Sequence, residues 1–211
     1  MVEQIAIRGF DKNFTYFLHN GKGGKSIAIV DPGDSEQLIA EINLKGWIPK
    51  MILITHSHFD HTEGVERLVE EYKIPIYIHK NIKDDIKVNR LDDNDEILLD
   101  DVKIKVLYTP GHSIDSVCYF IDETQANDGI PKLFTGDTLF IDACGRADLP
   151  GSDVKELYES LKRIKTLPDE TIIYPGHDYG EKPYATLGQQ KRTNKYLMCN
   201  DFYSFRKIRL P

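Results

Sequence analysis

The stretch His56-Ser57-His58-Phe59-Asp60-His61 places four metal-ligating side chains within six residues, and its surroundings decide the fold. Ahead of it, Met51 to Ile54 is a compact apolar run that reads as a buried strand and delivers the chain to Thr55-His56. Behind it, Val65, Leu68, Val69 and Tyr72 fall at helical offsets. His56 and His58 stand two apart at the end of an extended run, which predicts both imidazoles on one side. A strand-to-helix turn can swing Asp60 and His61 toward the same point. Imidazole with carboxylate suits zinc, iron or manganese, and a cluster without cysteine argues against a closed structural zinc site. The plainer alternative is a histidine-rich surface loop. Strand and helix, however, would bury the base of the cluster, and buried polar groups need partners.

Working outward, one local pattern recurs three times. His112 follows Thr109-Pro110-Gly111 after an apolar run from Ile104 to Leu107. Asp137 follows Thr135-Gly136 after Lys132 to Phe134, and His177 follows Pro175-Gly176 after Thr171 to Tyr174. Each is a small-residue turn at the carboxyl end of a strand, where glycine permits close backbone approach. Any one alone reads as a capping or packing residue. Together with the cluster, the three point to one centre.

Elsewhere, Val2 to Ile7, Phe14 to Leu18 and Ser26 to Val30 read as strands, with Asn20-Gly21 and Gly23-Gly24 as turn chemistry. Leu38, Ile39 and Ile42 mark a short helix that Gly46 can end. Ile74 to Ile78 and Val117 to Ile121 read as further strands. Asp153-Val154-Lys155-Glu156 resembles a capping box opening a helix faced by Leu157, Leu161 and Ile164. This order suits two packed sheets with helices outside, not regular βαβ alternation. The chain has 211 residues, 27 Lys+Arg against 34 Asp+Glu and a formal charge of -7, which disfavours a nucleic-acid footprint. No stretch approaches a membrane span, and the amino terminus shows no signal-peptide pattern. Cys118, Cys144 and Cys199 form no CxxC pair, so reduced thiols in a cytoplasm are expected.

His-x-His-x-Asp-His followed in order by Gly-His, Gly-Asp and Gly-His resembles the metallo-β-lactamase superfamily, over nearly the whole chain. The resemblance implies an α+β fold, an αββα sandwich of two mixed β-sheets flanked by helices. It implies one such domain over residues 1–211 with a short carboxyl-terminal extension. By the same resemblance, His56, His58 and His112 bind one metal, Asp60, His61 and His177 bind a second, and Asp137 bridges both. Zinc is the first expectation for the two divalent ions, with iron or manganese also suited. A metal-bridging hydroxide would be the nucleophile, oriented by Asp60 as the catalytic carboxylate.

Phe134-Thr135-Gly136-Asp137-Thr138-Leu139-Phe140 and Cys144-Gly145-Arg146 resemble the glyoxalase II group, which hydrolyses hydroxyacylglutathione thioesters. That resemblance implies substrate contacts at Arg146 and Tyr179. The chain departs from the group after His177, where little of the longer helical part that completes a glutathione site is present, and Lys191 and Arg192 are the basic residues available to replace it. The alternative is similarity to persulfide dioxygenases, which shares Cys144 to Asp148 and Tyr174 to Tyr179. It implies a single Fe(II) on His56, His112 and Asp137 acting on a glutathione persulfide. Either way the expected partner is a small thioester or thiol-derived molecule, not nucleic acid or membrane, and a homo-oligomer is left open.

Other features carry less. Gly24-Lys25-Ser26 ends like a phosphate loop, but His19 stands where that pattern needs glycine. Cys144 reads as a buried small residue, and His19 and His79 as surface or packing histidines.

Overall fold

A computed structural model describes residues 1–8, 11–21, 23–82 and 87–210. The first sheet runs in sequence order: β1 (Val2–Ala6), β2 (Phe14–His19), β3 (Ser26–Val30), β4 (Ile48–Leu53), β5 (Ile76–His79) and β6 (Asn89–Leu91). Its first two pairings are antiparallel and the rest parallel. The second sheet contains β7 (Glu96–Leu99), β8 (Val102–Tyr108), β9 (Val117–Ile121), β10 (Lys132–Gly136), β13 (Ile172–Pro175) and β14 (Ala185–Thr186). Its order is β14-β13-β10-β9-β8-β7, with β10 and β13 parallel. A ribbon of β11 (Leu139–Phe140) and β12 (Ala143–Cys144) stands apart.

Helices cover both outer faces, giving the sandwich of two mixed sheets. On the first sheet lie α1 (Ser35–Lys45) and α3 (Val65–Tyr72), whose Leu38, Ile42 and Leu68 pack on Phe17, Ile27, Ile29 and Ile52. On the second lie α4 (Val154–Lys165), α5 (Leu187–Thr193) and α6 (Phe202–Arg209), where Leu157, Leu161, Ile164 and Phe205 bury against Leu133 and Ile173. Between the sheets, Tyr16, Leu18, Val30 and Leu53 meet Ile104, Val106, Tyr119 and Phe134. Strands β2 and β3 are buried on both faces, which is why they read as continuous apolar runs without alternation.

The helix ends follow local chemistry. Gly46 takes the left-handed conformation at φ 64°, closing α1. Asp153 caps α4 by accepting from the Lys155 and Glu156 amides. The expected capping box is only half formed, because the Asp153 amide donates to the Gly111 carbonyl (2.8 Å) instead. Among the described residues, no helix is long and apolar enough to cross a membrane.

The end of the sandwich that matters is where the carboxyl ends of β4, β8, β10 and β13 meet. There the sheets are stitched by Val117 N–H to Thr55 O (2.8 Å) and Phe14 N–H to Gly176 O (2.8 Å).

Candidate metal centre

Every ligand-type residue expected from the sequence arrives at this end. His56 and His58 follow β4 in an irregular segment, not in a continued strand. The short helix α2 (Phe59–Thr62) then carries Asp60 and His61. The two imidazoles still converge because they use opposite ring nitrogens: His56 Nε2 lies 3.0 Å from His58 Nδ1, which lies 3.0 Å from His112 Nε2. His112, Asp137 and His177 stand in the three glycine turns, as expected.

The seven side chains form three overlapping groups whose ligand atoms lie within 4.8 Å of one another: His56–His58–His112, His56–His61–Asp137, and Asp60–His61–His177. In the last group, His61 Nε2 is 3.3 Å from His177 Nε2, and Asp60 Oδ2 is 3.5 Å from the former and 3.4 Å from the latter. Asp137 lies between the sets, with Oδ1 3.3 Å from His61 Nε2 and Oδ2 3.5 Å from His112 Nε2 and 3.3 Å from His177 Nε2.

Two glycines make this packing sterically feasible. A Cβ on Gly176 would stand 2.3 Å from Asp137 Oδ1 and 2.8 Å from His61 Cε1. Gly136 has φ +46°, and a Cβ there would stand 2.3 Å from Thr55 Oγ1.

Outer contacts aim the rings. His61 Nδ1 meets Asp31 Oδ2 at 3.0 Å, His177 Nδ1 donates to Asp11 O at 2.7 Å, and His112 Nδ1 donates to Arg146 O at 3.0 Å. His56 Nδ1 meets Thr55 Oγ1 at 3.1 Å. With each Nδ1 engaged outward, the Nε2 lone pairs of four histidines point inward. Asp115 ties two ligand loops together, accepting from the Ser57 amide (3.0 Å) and the Ser113 hydroxyl (2.7 Å).

This arrangement fits cations. Ligand atoms about 2.0–2.1 Å from a tetrahedral ion stand roughly 3.3 Å apart, close to the spacings in both sets. Converging lone pairs at such distances repel unless a proton or a metal lies between them. Asp137 Oδ1 is buried yet takes no hydrogen bond, which leaves a lone pair directed at the centre. Without an ion, protons supply the missing positive charge. Burial pulls the His61 imidazole down, but Asp137 and Asp31 outweigh it and hold it well above its ordinary value. Burial likewise opposes His177, which Asp137 raises. Burial would push Asp137 up, but His61 and His177 hold it well below the usual carboxylate range. Burial lowers His56 strongly and His112 less so.

The two expected substrate contacts sit beside this centre in different ways. Tyr179 stacks on His177 (4.8 Å between centroids, 3° interplanar), packs on Phe140 and donates to Asp11. Arg146 reaches His112 through its carbonyl, while its guanidinium makes a double hydrogen bond to Asp148. Lys191 binds Asp169 and the Leu167 carbonyl. Cys144 is buried with its thiol pushed up to about 12, as expected of a packing residue. His79 is buried and stacked on Tyr108 (4.1 Å) outside the centre.

Sequence reasoning missed Asp31, Asn13 and Asp11. Asp31-Pro32-Gly33 reads as a strand breaker, yet Asp31 is 3% exposed and takes φ 52°. The available signal was a lone carboxylate ending an apolar strand beside the strand that delivers His56. Asn13 and Asp11 gave no signal, since each acts across a long sequence separation.

A family model described as the metallo-beta-lactamase superfamily matches residues 8–177. Among solved structures, the chain is similar to ETHE1 from Myxococcus xanthus, at 26% identity over 100% of this chain and 92% of that one, with a TM-score of 0.85. It is similar to the BLEG-1 B3 metallo-beta-lactamase at 31% identity, 94% and 100% coverage and a TM-score of 0.80. It is also similar to TTHA1623 in a di-iron-bound form, at 34% identity, 91% and 98% coverage and a TM-score of 0.75.

Proposed function

The chain belongs to the metallo-β-lactamase superfamily, and from that premise we propose that it is a two-metal thioester hydrolase of the glyoxalase II kind. The observation that carries the proposal is Asp137, whose carboxylate lies between two complete three-residue sets with one oxygen toward His61 and the other toward His112 and His177. A structure at 34% identity is in a di-iron-bound form, which supports two ions and the choice of iron as well as zinc in the metal analysis.

His56, His58 and His112 would hold one ion, Asp60, His61 and His177 the other, with Asp137 shared. Cations so held supply Lewis acidity, polarising a carbonyl and bringing the pKa of a water toward neutrality. The residues supply the rest. Asp60 is the more accessible of the two central carboxylates, with a side chain 29% exposed against 10% for Asp137. Its carboxylate is the group to orient the attacking water and to take up its proton for the leaving thiolate. Asp31 and Asp11 keep the Nδ1 protons of His61 and His177 turned outward. Tyr179, at the rim on His177, and Arg146, once released from Asp148, are the groups to hold the thiol part of a small substrate.

Metal analysis with thioester assay tests this: two metals per chain and thiol release from an S-acylglutathione are expected. The second reading is a one-iron persulfide dioxygenase using His56, His112 and Asp137, a two-histidine-one-carboxylate set. It draws on the 3.5 Å approach of His112 Nε2 to Asp137 Oδ2. One iron per chain with oxygen consumption on glutathione persulfide would establish it and overturn the hydrolase.

A further inference from the structure

Asn13 begins β2's approach from the amino-terminal side and is 2% exposed, yet it lies outside the seven ligand-type residues. Its Nδ2 donates to Asp60 Oδ2 at 2.8 Å and reaches Asp60 O at 3.4 Å. Its backbone forms a bridge with His177, and the neighbouring residues extend that pairing: Phe14 N–H to Gly176 O (2.8 Å) and Asp178 N–H to Lys12 O (2.9 Å). The Ile7 amide donates to the Asn13 carbonyl at 2.9 Å, anchoring the bridge to the edge of the first sheet. One residue therefore contacts two members of one ligand set, Asp60 by side chain and His177 by backbone.

The amide orientation follows from chemistry, since an oxygen turned toward the Asp60 carboxylate would be repelled. The consequence is that Asn13 Oδ1 is buried without a partner. Leaving a buried acceptor unpaired is destabilising, so packing alone gives no reason for an amide here. The donor is the part in use. The oxygen it holds, Oδ2, is the one that faces His61 Nε2 and His177 Nε2.

We infer that Asn13 is a positioning residue that presents Asp60 Oδ2 to the His61–His177 pair and so sets the cation affinity of that set alone. Among the described residues its hydrogen bonds do not reach the other set, where Asp115 holds the Ser57 amide beside His58 and the Arg146 carbonyl holds His112 Nδ1. This role rests on the two-cation reading of the centre.

The test is a calorimetric titration of zinc alone into chelator-stripped full-length protein, with His58→Ala identifying the step that belongs to the first set. Two variants are used, Asn13→Leu, which removes the donor, and Asn13→Asp, which puts a carboxylate in its place. Each is expected to weaken only the other step, by roughly 10- to 100-fold, with the first step within about twofold and the metal-free melting temperature reported alongside. In an Asp60→Ala background, Asn13→Leu is expected to add nothing. Two wild-type steps that the Asn13 variants leave unchanged, or weaken equally, overturn the role of Asn13. A single wild-type step overturns the two-cation reading itself and the role with it.

Discussion

Asp31 Oδ2 stands 3.0 Å from His61 Nδ1, and the same oxygen accepts the Thr55 hydroxyl at 2.6 Å. The Thr55 oxygen in turn faces His56 Nδ1 at 3.1 Å, and the Thr55 amide donates to Asp31 Oδ1 at 2.8 Å. One buried carboxylate thus fixes the tautomer of a histidine from each ligand set, directly in one case and through a hydroxyl in the other.

Asp31→Ala is therefore expected to weaken both cation-binding steps by roughly 10- to 100-fold. Unpairing the Thr55 amide and His61 Nδ1 should also cost the metal-free protein about 1–3 kcal/mol. Asp31→Asn, which keeps one acceptor, should do less. Zinc titration and thermal melting read both effects, and full affinity in Asp31→Ala would remove the role assigned here.

Metal uptake should release protons at neutral pH. His61 is held well above its ordinary value by Asp137 and Asp31 against the effect of burial, so the metal-free ring carries a proton that a cation displaces. Because cation and proton compete, apparent affinity should rise with pH until His61 is deprotonated without metal. Asp137→Asn removes the charge that retains the proton and should reduce the release. A pH-indicator titration in weak buffer measures it, and no proton release from the wild type would contradict the protonated state.

Gly176→Ala should impair the centre without replacing a ligand. The added methyl would fall 2.3 Å from Asp137 Oδ1, so either that carboxylate or the His177 turn must shift. Shifting a ligand set by this much is expected to cut thioester turnover at least about 100-fold, as small misplacements do. Activity at saturating metal is the readout. Turnover near wild type would show that the turn has room to relax.

Thiol chemistry should be peripheral. Burial pushes Cys118 and Cys144 up to about 12, while Cys199 is only partly buried. Iodoacetamide at mildly alkaline pH should label Cys199 first in the native protein, as peptide mass spectrometry would show. Cys144→Ala should retain turnover within about threefold, and a collapse of kcat would revive it as a nucleophile.

Arg163 joins α4 to the second sheet through Asp93 Oδ1 (2.7 Å) and the Tyr108 carbonyl (3.0 Å). Burial works against the Asp93 carboxylate, but Arg163 and the Tyr108 amide hold it below its ordinary value. That contribution is present above the unfolded value of about 3.9 and is lost as pH falls through the lower folded one. Both side chains are 34% exposed, so screening limits the loss in Arg163→Met to about 1 kcal/mol or less at pH 7. Urea melts should show the gap closing in acid, and a gap that widens there would reverse the assignment.

The centre was legible because each ligand carries its own local signal, a dense cluster or a glycine turn after an apolar strand. Gly46 and Asp153 were legible for the same reason, since caps are local. What failed depended on distance in the chain. Asp31 looked like a breaker because its partners, Thr55 and His61, lie on other elements. Asn13 meets Asp60 across 47 positions. The strands β6, β11, β12 and β14 are only two or three residues long and have no periodicity to display. His56 and His58 were correctly grouped for a partly wrong reason: choice of ring nitrogen, not strand alternation, brings them together.

The bridge between Asn13 and His177 also has a bearing on biosynthesis. The set of Asp60, His61 and His177 cannot be completed at this corner until residue 177 has been synthesised. A nascent chain could display His56 to His61 early, but only as an open claw. Complete loading must therefore wait until β13 of the second sheet and the turn that follows it have been translated.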